Sequence, residues 1–129
     1  MSWNDGIKNA RIESTRLGTE DYGPFTFSLA LDYGGLHQHF GGIGLDNPPK
    51  ERVPGARRGP TAYGMDCIVR ILETVGVESW EDLKNKYVRA EVKNGYIVGL
   101  INILDDDKVF YPKKLYEEEY KELTEIIDR

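Results

Sequence analysis

The sequence predicts an α+β protein: an antiparallel sheet of about five strands packed by a central helix, with a charged C-terminal helix. Apolar residues alternate with small or polar ones over residues 25–33, and Gly34-Gly35 follows. Asn94-Gly95 separates a second pair of strand-like segments, while apolar residues within 61–75 recur at helical spacing. A period of two indicates a strand with one buried face, and a period of about 3.6 indicates an amphipathic helix. We expect all 129 residues to form one domain.

The composition excludes several classes of function. Hydrophobic residues make up 40% of the chain and charged residues 30%, which is typical of a globular protein in water. The net charge of −5 argues against a binder of duplex nucleic acid, which needs a broad basic face. No apolar run approaches the ~20 residues that span a membrane, and residues 1–11 lack the apolar segment of a signal peptide. We therefore expect no membrane partner. Because Cys67 has no second cysteine with which to form an internal disulfide, we expect the protein to be cytoplasmic.

The first hairpin is predicted to follow a half-exposed strand at residues 7–17. Glycine reaches φ > 0 without steric cost, so Gly34-Gly35 suits a two-residue turn. In the register of that turn, large rings face glycines and would cover their bare backbone: Phe25 opposes Gly44, and Phe27 opposes Gly42.

Small side chains occupy the opposite face of this hairpin, apart from two histidines and Ile43. The expected cross-strand pairs on this face are Asp32 with His37, Ala30 with His39, and Ser28 with Gly41. Such a face lets backbone, a second subunit or a ligand approach closely. Alternatively, the glycines only permit strand curvature or a bulge.

The central helix is predicted over residues 61–75. Thr61 marks its start and Gly76 its end. Its apolar stripe is expected to consist of Met65, Ile68, Val69, Leu72 and Val75. Cys67 lies beside this stripe and has no visible partner for thiolate chemistry.

The second hairpin is predicted from residues 87–92 and 96–104. Its core face is expected to pair Val88 with Ile101, Ala90 with Gly99, and Val92 with Ile97. Its other face is mixed, and pairs Tyr87 with Asn102, Arg89 with Leu100, and Glu91 with Val98. Pro112 begins the final helix, whose stripe of Tyr116, Tyr120, Leu123 and Ile127 lies on the surface or meets another subunit.

Two histidines invite a test for metal binding. His37 and His39 are two residues apart on a strand, so both rings point to one face. A third ligand would have to come from Asp32, Asp46 or Cys67, and no spacing demands it. We therefore expect no metal or other cofactor, with His37 hydrogen-bonded to Asp32 instead.

The basic loop over residues 47–60 is the strongest candidate for ligand binding. It holds Lys50, Arg52, Arg57 and Arg58 against the single acid Glu51. Arg57 and Arg58 precede a helix N-terminus, where guanidinium groups and free N–H groups suit phosphate oxygens. The alternative is a solvated loop that balances surface acids.

The mixed face of the second hairpin supplies the remaining candidates. Tyr87 or Arg89 can stack on a base, and Asn102 can hydrogen-bond a base or ribose. This face serves equally well as a subunit interface, and a pocket at an interface satisfies both interpretations.

Four segments together resemble a known family: LDYGG, FGGIGLD, AYGMDCIVRILETVGVESWEDLKNKYVRAE and DDDKVFYP. They are similar to the phage-encoded Thoeris anti-defence proteins of the first described type, over about residues 10–112. Those proteins are oligomeric sponges that sequester cyclic ADP-ribose isomers, and some also hold cyclic oligonucleotides of the CBASS pathway. The LHQH segment between the first two motifs departs from the family pattern, so the resemblance assigns no role to His37 and His39.

The resemblance implies an antiparallel sheet with helices, dimers assembled into hexamers, and ligand pockets between protomers. Family pockets place arginine on phosphates, an aromatic ring on adenine, and Asn or Asp on ribose. Arg57, Arg58, Tyr87, Arg89 and Asn102 match these roles by residue type alone.

These observations predict a non-enzymatic, homo-oligomeric sponge for a cyclic nucleotide signal in the cytoplasm of an infected bacterium. No segment brings together a nucleophile, a base and an oxyanion site. One alternative is an inhibitor that contacts a defence protein through its acidic surface. The other is a metal-dependent phosphodiesterase built on His37 and His39.

Overall fold

The computed structural model describes residues 5–19, 23–47 and 59–122. Within them, the strands are β1 (Gly6–Gly18), β2 (Thr26–Tyr33), β3 (Leu36–Gly44), β4 (Asp46–Asn47), β5 (Gly59–Pro60), β6 (Tyr87–Lys93), β7 (Tyr96–Asn102) and β8 (Val109–Phe110). Six of these strands form one antiparallel sheet in the order β3-β2-β1-β6-β7-β8, and β4 pairs with β5. The helical elements are α1 (Ala62–Val75), a 3₁₀ turn (Trp80–Leu83) and α2 (Pro112–Leu115), which continues as a π-helical turn (Tyr116–Tyr120). The predicted α+β class is confirmed.

The first hairpin has the predicted turn, with φ of 71° at Gly34 and 88° at Gly35. Its register also agrees with the prediction from the turn as far as the pair Ser28 and Gly41. Beyond that pair β3 contains an extra residue, so Thr26 opposes Gly44, and the predicted pairing of phenylalanines with glycines is wrong. Gly41 makes the bulge possible, because a Cβ there would lie 2.2 Å from the carbonyl oxygen of Phe27.

The second hairpin repeats this behaviour. Its Asn94-Gly95 turn is confirmed, with φ of 53° and 80°. An extra residue in β7 then shifts the register, so Gly99 opposes Glu91 and Leu100 opposes Ala90. The core face of β6 is buried as predicted, and the predicted pair of Val92 with Ile97 is confirmed, but the β7 residues beyond the bulge were paired wrongly.

A third bulge, in β1, leaves Glu13 as an extra residue between Ile12 and Ser14. Bulges increase the local twist of a sheet, and this sheet curls around its core. The edge strand β3 therefore reaches the second hairpin, where Gln38 Nε2 donates to the Gly95 carbonyl at 2.6 Å. Phe40 also packs edge-on against Phe110, with ring centroids 6.1 Å apart.

Helix α1 covers the inner face of the curled sheet. Thr61 Oγ1 accepts from the Gly64 N–H at 2.9 Å, and Gly76 ends the helix with φ of 89°, so both predicted ends are confirmed. The buried side is formed by Gly64, Cys67, Ile71, Thr74 and Val75.

The predicted apolar stripe of α1 is therefore partly wrong. Met65 is 65% exposed and Val69 37% exposed. The physical reason lies at Gly64, where a Cβ would be only 1.8 Å from the Leu45 carbonyl oxygen. Small residues let the helix backbone approach the chain, and a count of apolar side chains overlooks glycine and threonine.

The C-terminal tyrosines pack against α1 of the same chain. The Tyr63 ring meets Tyr116 and Tyr120 edge-on, at centroid distances of 5.3 and 5.4 Å. The Tyr120 hydroxyl also donates to Asp66 Oδ2 at 2.7 Å. These tyrosines therefore line an intramolecular contact. The predicted stripe residues Leu123 and Ile127 lie outside the described residues.

Candidate functional site

The outer face of the sheet, opposite the core, carries a cross-strand row of four polar side chains. Tyr87 pairs with Arg11, Arg11 with Asp32, and Asp32 with His37. The row therefore crosses β6, β1, β2 and β3 in order. The last of these pairs was predicted from the first turn. The first two depend on β1, which no two-residue turn connects to its neighbours.

A trough of about 650 Å³ lies next to this row, across β1, β2 and β3. We call it the outer trough. Its lining consists of Ser14, Thr15, Arg16, Thr26, Ser28, Ala30, His39, Gly41 and Gly42. The small residues of the first hairpin make its floor, which agrees with the prediction of a face that other groups can approach closely.

The polar groups of the outer trough are hydroxyls, one imidazole and one guanidinium. Ser28 Oγ and His39 Nδ1 are 3.1 Å apart and hydrogen-bonded. Arg16 Nη2 donates to the Thr19 carbonyl at 2.8 Å, which holds its side chain at one end of the trough. Hydroxyl, imidazole and guanidinium donors together are suited to an anionic ligand that also carries hydroxyl groups.

His37 contacts Glu13, not the predicted Asp32. His37 Nδ1 lies 2.7 Å from Glu13 Oε1, although β2 runs between their strands. Asp32 Oδ1 instead accepts the backbone N–H of Gly35 at 3.1 Å. Sequence reasoning missed Glu13 because its position depends on the β1 bulge, for which the sequence contains no local signal.

The predicted phosphate ligands Arg57 and Arg58 lie outside the described residues, as do Lys50 and Arg52. Their proposed role therefore stays a prediction. Tyr87 is 58% exposed and belongs to the outer face, where a ligand can reach its ring.

Arg89 and Asn102 are brought together, and both are engaged within the chain. Arg89 Nε and Nη2 donate to the Asn102 carbonyl at 3.0 and 2.8 Å, and Nη2 also pairs with Asp106. The Asn102 amide donates to the Thr74 carbonyl at 2.8 Å and accepts the N–H groups of Leu104 and Asp105. Both side chains thus organise the turn between β7 and β8. For Asn102 this leaves little hydrogen-bonding capacity for a ligand.

Cys67 lies on the buried side of α1, and its side chain is fully buried in the core. Burial is the main cause that raises the pKa of its thiol to about 11. The thiolate is the reactive form, so the side chain is inert near neutral pH. The sequence likewise predicted no thiolate chemistry for Cys67. It placed the residue beside the apolar stripe of α1, whereas the side chain belongs to the core.

No helix in the described segments is long and apolar enough to cross a membrane. Comparison with protein-family models, curated proteins and solved structures found no match for this chain.

Proposed function

We propose that this protein binds an anionic signal molecule of the cyclic nucleotide class and retains it unchanged, as an anti-defence sponge. The observation that carries the proposal is the outer trough. Its volume of about 650 Å³ falls within the range of small-molecule sites, which is about 300–1,000 Å³. The resemblance to phage Thoeris anti-defence proteins supports the same ligand class.

The lining of the trough suggests how such a ligand is held. Arg16 and His39 offer donors to a phosphate, and the Ser28 hydroxyl offers a donor or acceptor to a ribose. The floor of small side chains lets a flat base lie close to the sheet. Arg57 and Arg58 are proposed to add charge, and Tyr87 to add a ring on which a base can stack.

Retention without cleavage is favoured by the chemistry of the trough. Ser28 and His39 resemble a nucleophile and its base by their 3.1 Å separation. A working pair also needs a group that orients the imidazole and donors for an oxyanion. In the described part of the chain, the His39 ring has a hydrogen bond to Ser28 alone.

A retention assay tests the proposal. The protein is incubated with cyclic ADP-ribose isomers, cyclic dinucleotides or cyclic trinucleotides, freed of unbound ligand, heated, and the supernatant is chromatographed. A sponge returns the intact ligand. Release of a cleaved product would establish a phosphodiesterase, and absence of retained ligand would favour an inhibitor that acts by protein–protein contact.

The proposed sponge is a homo-oligomer, a dimer or a trimer of dimers with closed symmetry. Light scattering at micromolar concentration measures this directly. A mass equal to that of one chain would contradict the assembly and leave the ligand proposal to the retention assay.

A further inference from the structure

We infer that Glu13, Asp32 and His37 form a binding site for a divalent transition-metal ion. One ligand atom from each side chain lies within 4.8 Å of the other two. The three residues come from adjacent strands β1, β2 and β3. No metal site was predicted from the sequence, because His37 was considered together with His39 and the position of Glu13 could not be predicted.

The backbone arranges these three donors without a ligand. On the outer face, the β1 bulge places Glu13 between the cross-strand pair of Arg11 with Asp32 and the pair of Ser14 with Ala30. The Glu13 carboxylate lies 2.7 Å from His37 Nδ1. The turn N–H of Gly35 holds one oxygen of Asp32 and leaves Oδ2 facing the cluster. Zinc bonds of about 2.0–2.2 Å place neighbouring ligand atoms roughly 3.3 Å apart. Small side-chain adjustments therefore suffice to enclose an ion.

The donor set selects the class of metal. Two carboxylates and one imidazole suit zinc and its neighbours, whereas calcium and magnesium prefer an all-oxygen shell. Zinc lies near the top of the affinity order for divalent first-row metals, so it is the appropriate probe. Water completes the coordination shell, since the His37 side chain is 59% exposed.

Arg11 opposes cation binding and thereby provides a diagnostic. Its Nη2 atom lies 3.7 Å from Glu13 Oε1 and 3.8 Å from Asp32 Oδ2, beyond hydrogen-bond distance. Its Nη1 atom is anchored to Asn85 Oδ1 at 2.9 Å. If the cluster were only an ion-pair network, loss of Arg11 would merely loosen it. At a metal site, the same loss removes a repelling charge and strengthens binding.

His39 is a matched control because it lies on the same strand and the same face as His37. Its Nδ1 atom is hydrogen-bonded to Ser28, one row away from the cluster. If zinc bound adventitiously to any surface histidine, replacement of His39 would weaken binding as much as replacement of His37. At the inferred site, only the replacement of His37 weakens binding.

The test is calorimetric titration of the chelator-treated full chain with zinc chloride, with circular dichroism to verify folding. We expect one zinc ion per chain. Glu13→Gln, Asp32→Asn and His37→Gln should each weaken binding at least about tenfold, because each removes a direct ligand. Arg11→Gln should strengthen it about thirtyfold, the effect of one unit positive charge on a doubly charged ion at about 4 Å in water. His39→Gln should leave it unchanged.

Two results would overturn the inference. The first is no stoichiometric zinc binding by the wild-type chain. The second is binding that Glu13→Gln and Arg11→Gln leave unchanged, which would assign the zinc to another place. Because the probe is zinc alone, neither result depends on whether the outer trough binds a nucleotide.

Discussion

The ring of Tyr111 lies directly over Gly99: a Cβ on Gly99 would be 2.3 Å from the Cδ1 and Cε1 atoms of that ring. The Tyr111 hydroxyl donates to Glu91 Oε1 at 2.7 Å, and Glu91 opposes Gly99 in the register. The bulge in β7 creates this relationship, because without it Gly99 would oppose Ala90. Ring-over-glycine packing was predicted for the first hairpin and occurs in the second.

Gly99→Ala should therefore destabilise the fold. The added methyl must displace a ring that is held at its far end, so we expect a cost of about 1–3 kcal/mol. Urea unfolding measures it. Gly18→Ala is the matched control, since a Cβ there meets nothing within 4 Å. In a Tyr111→Ala background the Gly99→Ala penalty should nearly vanish. An undiminished penalty would show that the ring is not its cause.

Stability should fall at alkaline pH. Burial, followed by the hydrogen bond to Glu91, raises the pKa of Tyr111 from 10.0 to about 12. The folded state thus favours the neutral phenol, so this stabilisation is complete below about pH 10 and is lost as the pH rises towards 12. Urea midpoints across this range measure the loss. Tyr111→Phe should reduce this loss, and Tyr120 should contribute part of the remainder, because its hydrogen bond to Asp66 is the main cause that raises its pKa to about 12. Tyr96→Phe, at a side chain 72% exposed, should not reduce the loss.

The buried side of α1 can be tested with two substitutions. Ile71 is fully buried, and its replacement by alanine should cost about 2–5 kcal/mol through lost contacts and a cavity. Met65 belongs to the stripe predicted from sequence but is 65% exposed, so Met65→Ala should cost under ~0.5 kcal/mol. Denaturant unfolding compares them. A larger penalty for Met65→Ala than for Ile71→Ala would mean that the helix faces the core as the sequence predicted, because the predicted stripe contains Met65 and not Ile71.

Local chemistry explains what the sequence predicted well. Gly34-Gly35 and Asn94-Gly95 require positive φ, so both turns could be located from a few neighbouring residues. Thr61 and Gly76 likewise mark the ends of α1 through hydrogen bonds within one helical turn. None of these features needs information from distant parts of the chain.

Long-range contacts explain what was missed. A bulge changes the pairing of every residue beyond it, and no residue type announces one reliably. The orientation of α1 depends on a backbone contact at Gly64, where no side chain gives a signal. The Glu13–His37 contact spans three strands, and seven residues separate β1 from β2 in the sequence, so no two-residue turn fixes their register. Candidate site residues on one hairpin were thus easier to predict than those brought together by the sheet.

The outer trough can be blocked from its floor. Ala30 lies on the outer face, so Ala30→Phe should fill the trough without entering the core. We expect loss of cyclic nucleotide retention together with a nearly unchanged urea midpoint. Lys93→Phe places the same ring at an exposed position outside the trough and should retain the ligand. Normal retention by Ala30→Phe would place the ligand elsewhere on the protein.

The basic loop predicts a salt-dependent contribution to the same binding. Arg57 and Arg58 directly precede β5 in the sequence, and a charge-assisted hydrogen bond contributes roughly 1.5–3 kcal/mol. The double substitution Arg57→Ala/Arg58→Ala should therefore weaken binding by about 100-fold or more, since 1.4 kcal/mol is tenfold. Calorimetry should show a smaller loss of affinity at high than at low ionic strength, because salt screens the attraction between these arginines and the anionic ligand in the wild-type protein.

Tyr87→Ala is the counterpart that separates stacking from charge. If a base stacks on this ring, binding should weaken by a similar amount at both ionic strengths, because stacking involves no ion pair. An unchanged melting temperature in each variant verifies folding.

Binding by the arginine double variant as tight as that of the wild-type chain would show that the loop balances surface acids. The phosphate donors would then have to come from the trough itself, where Arg16 and His39 lie.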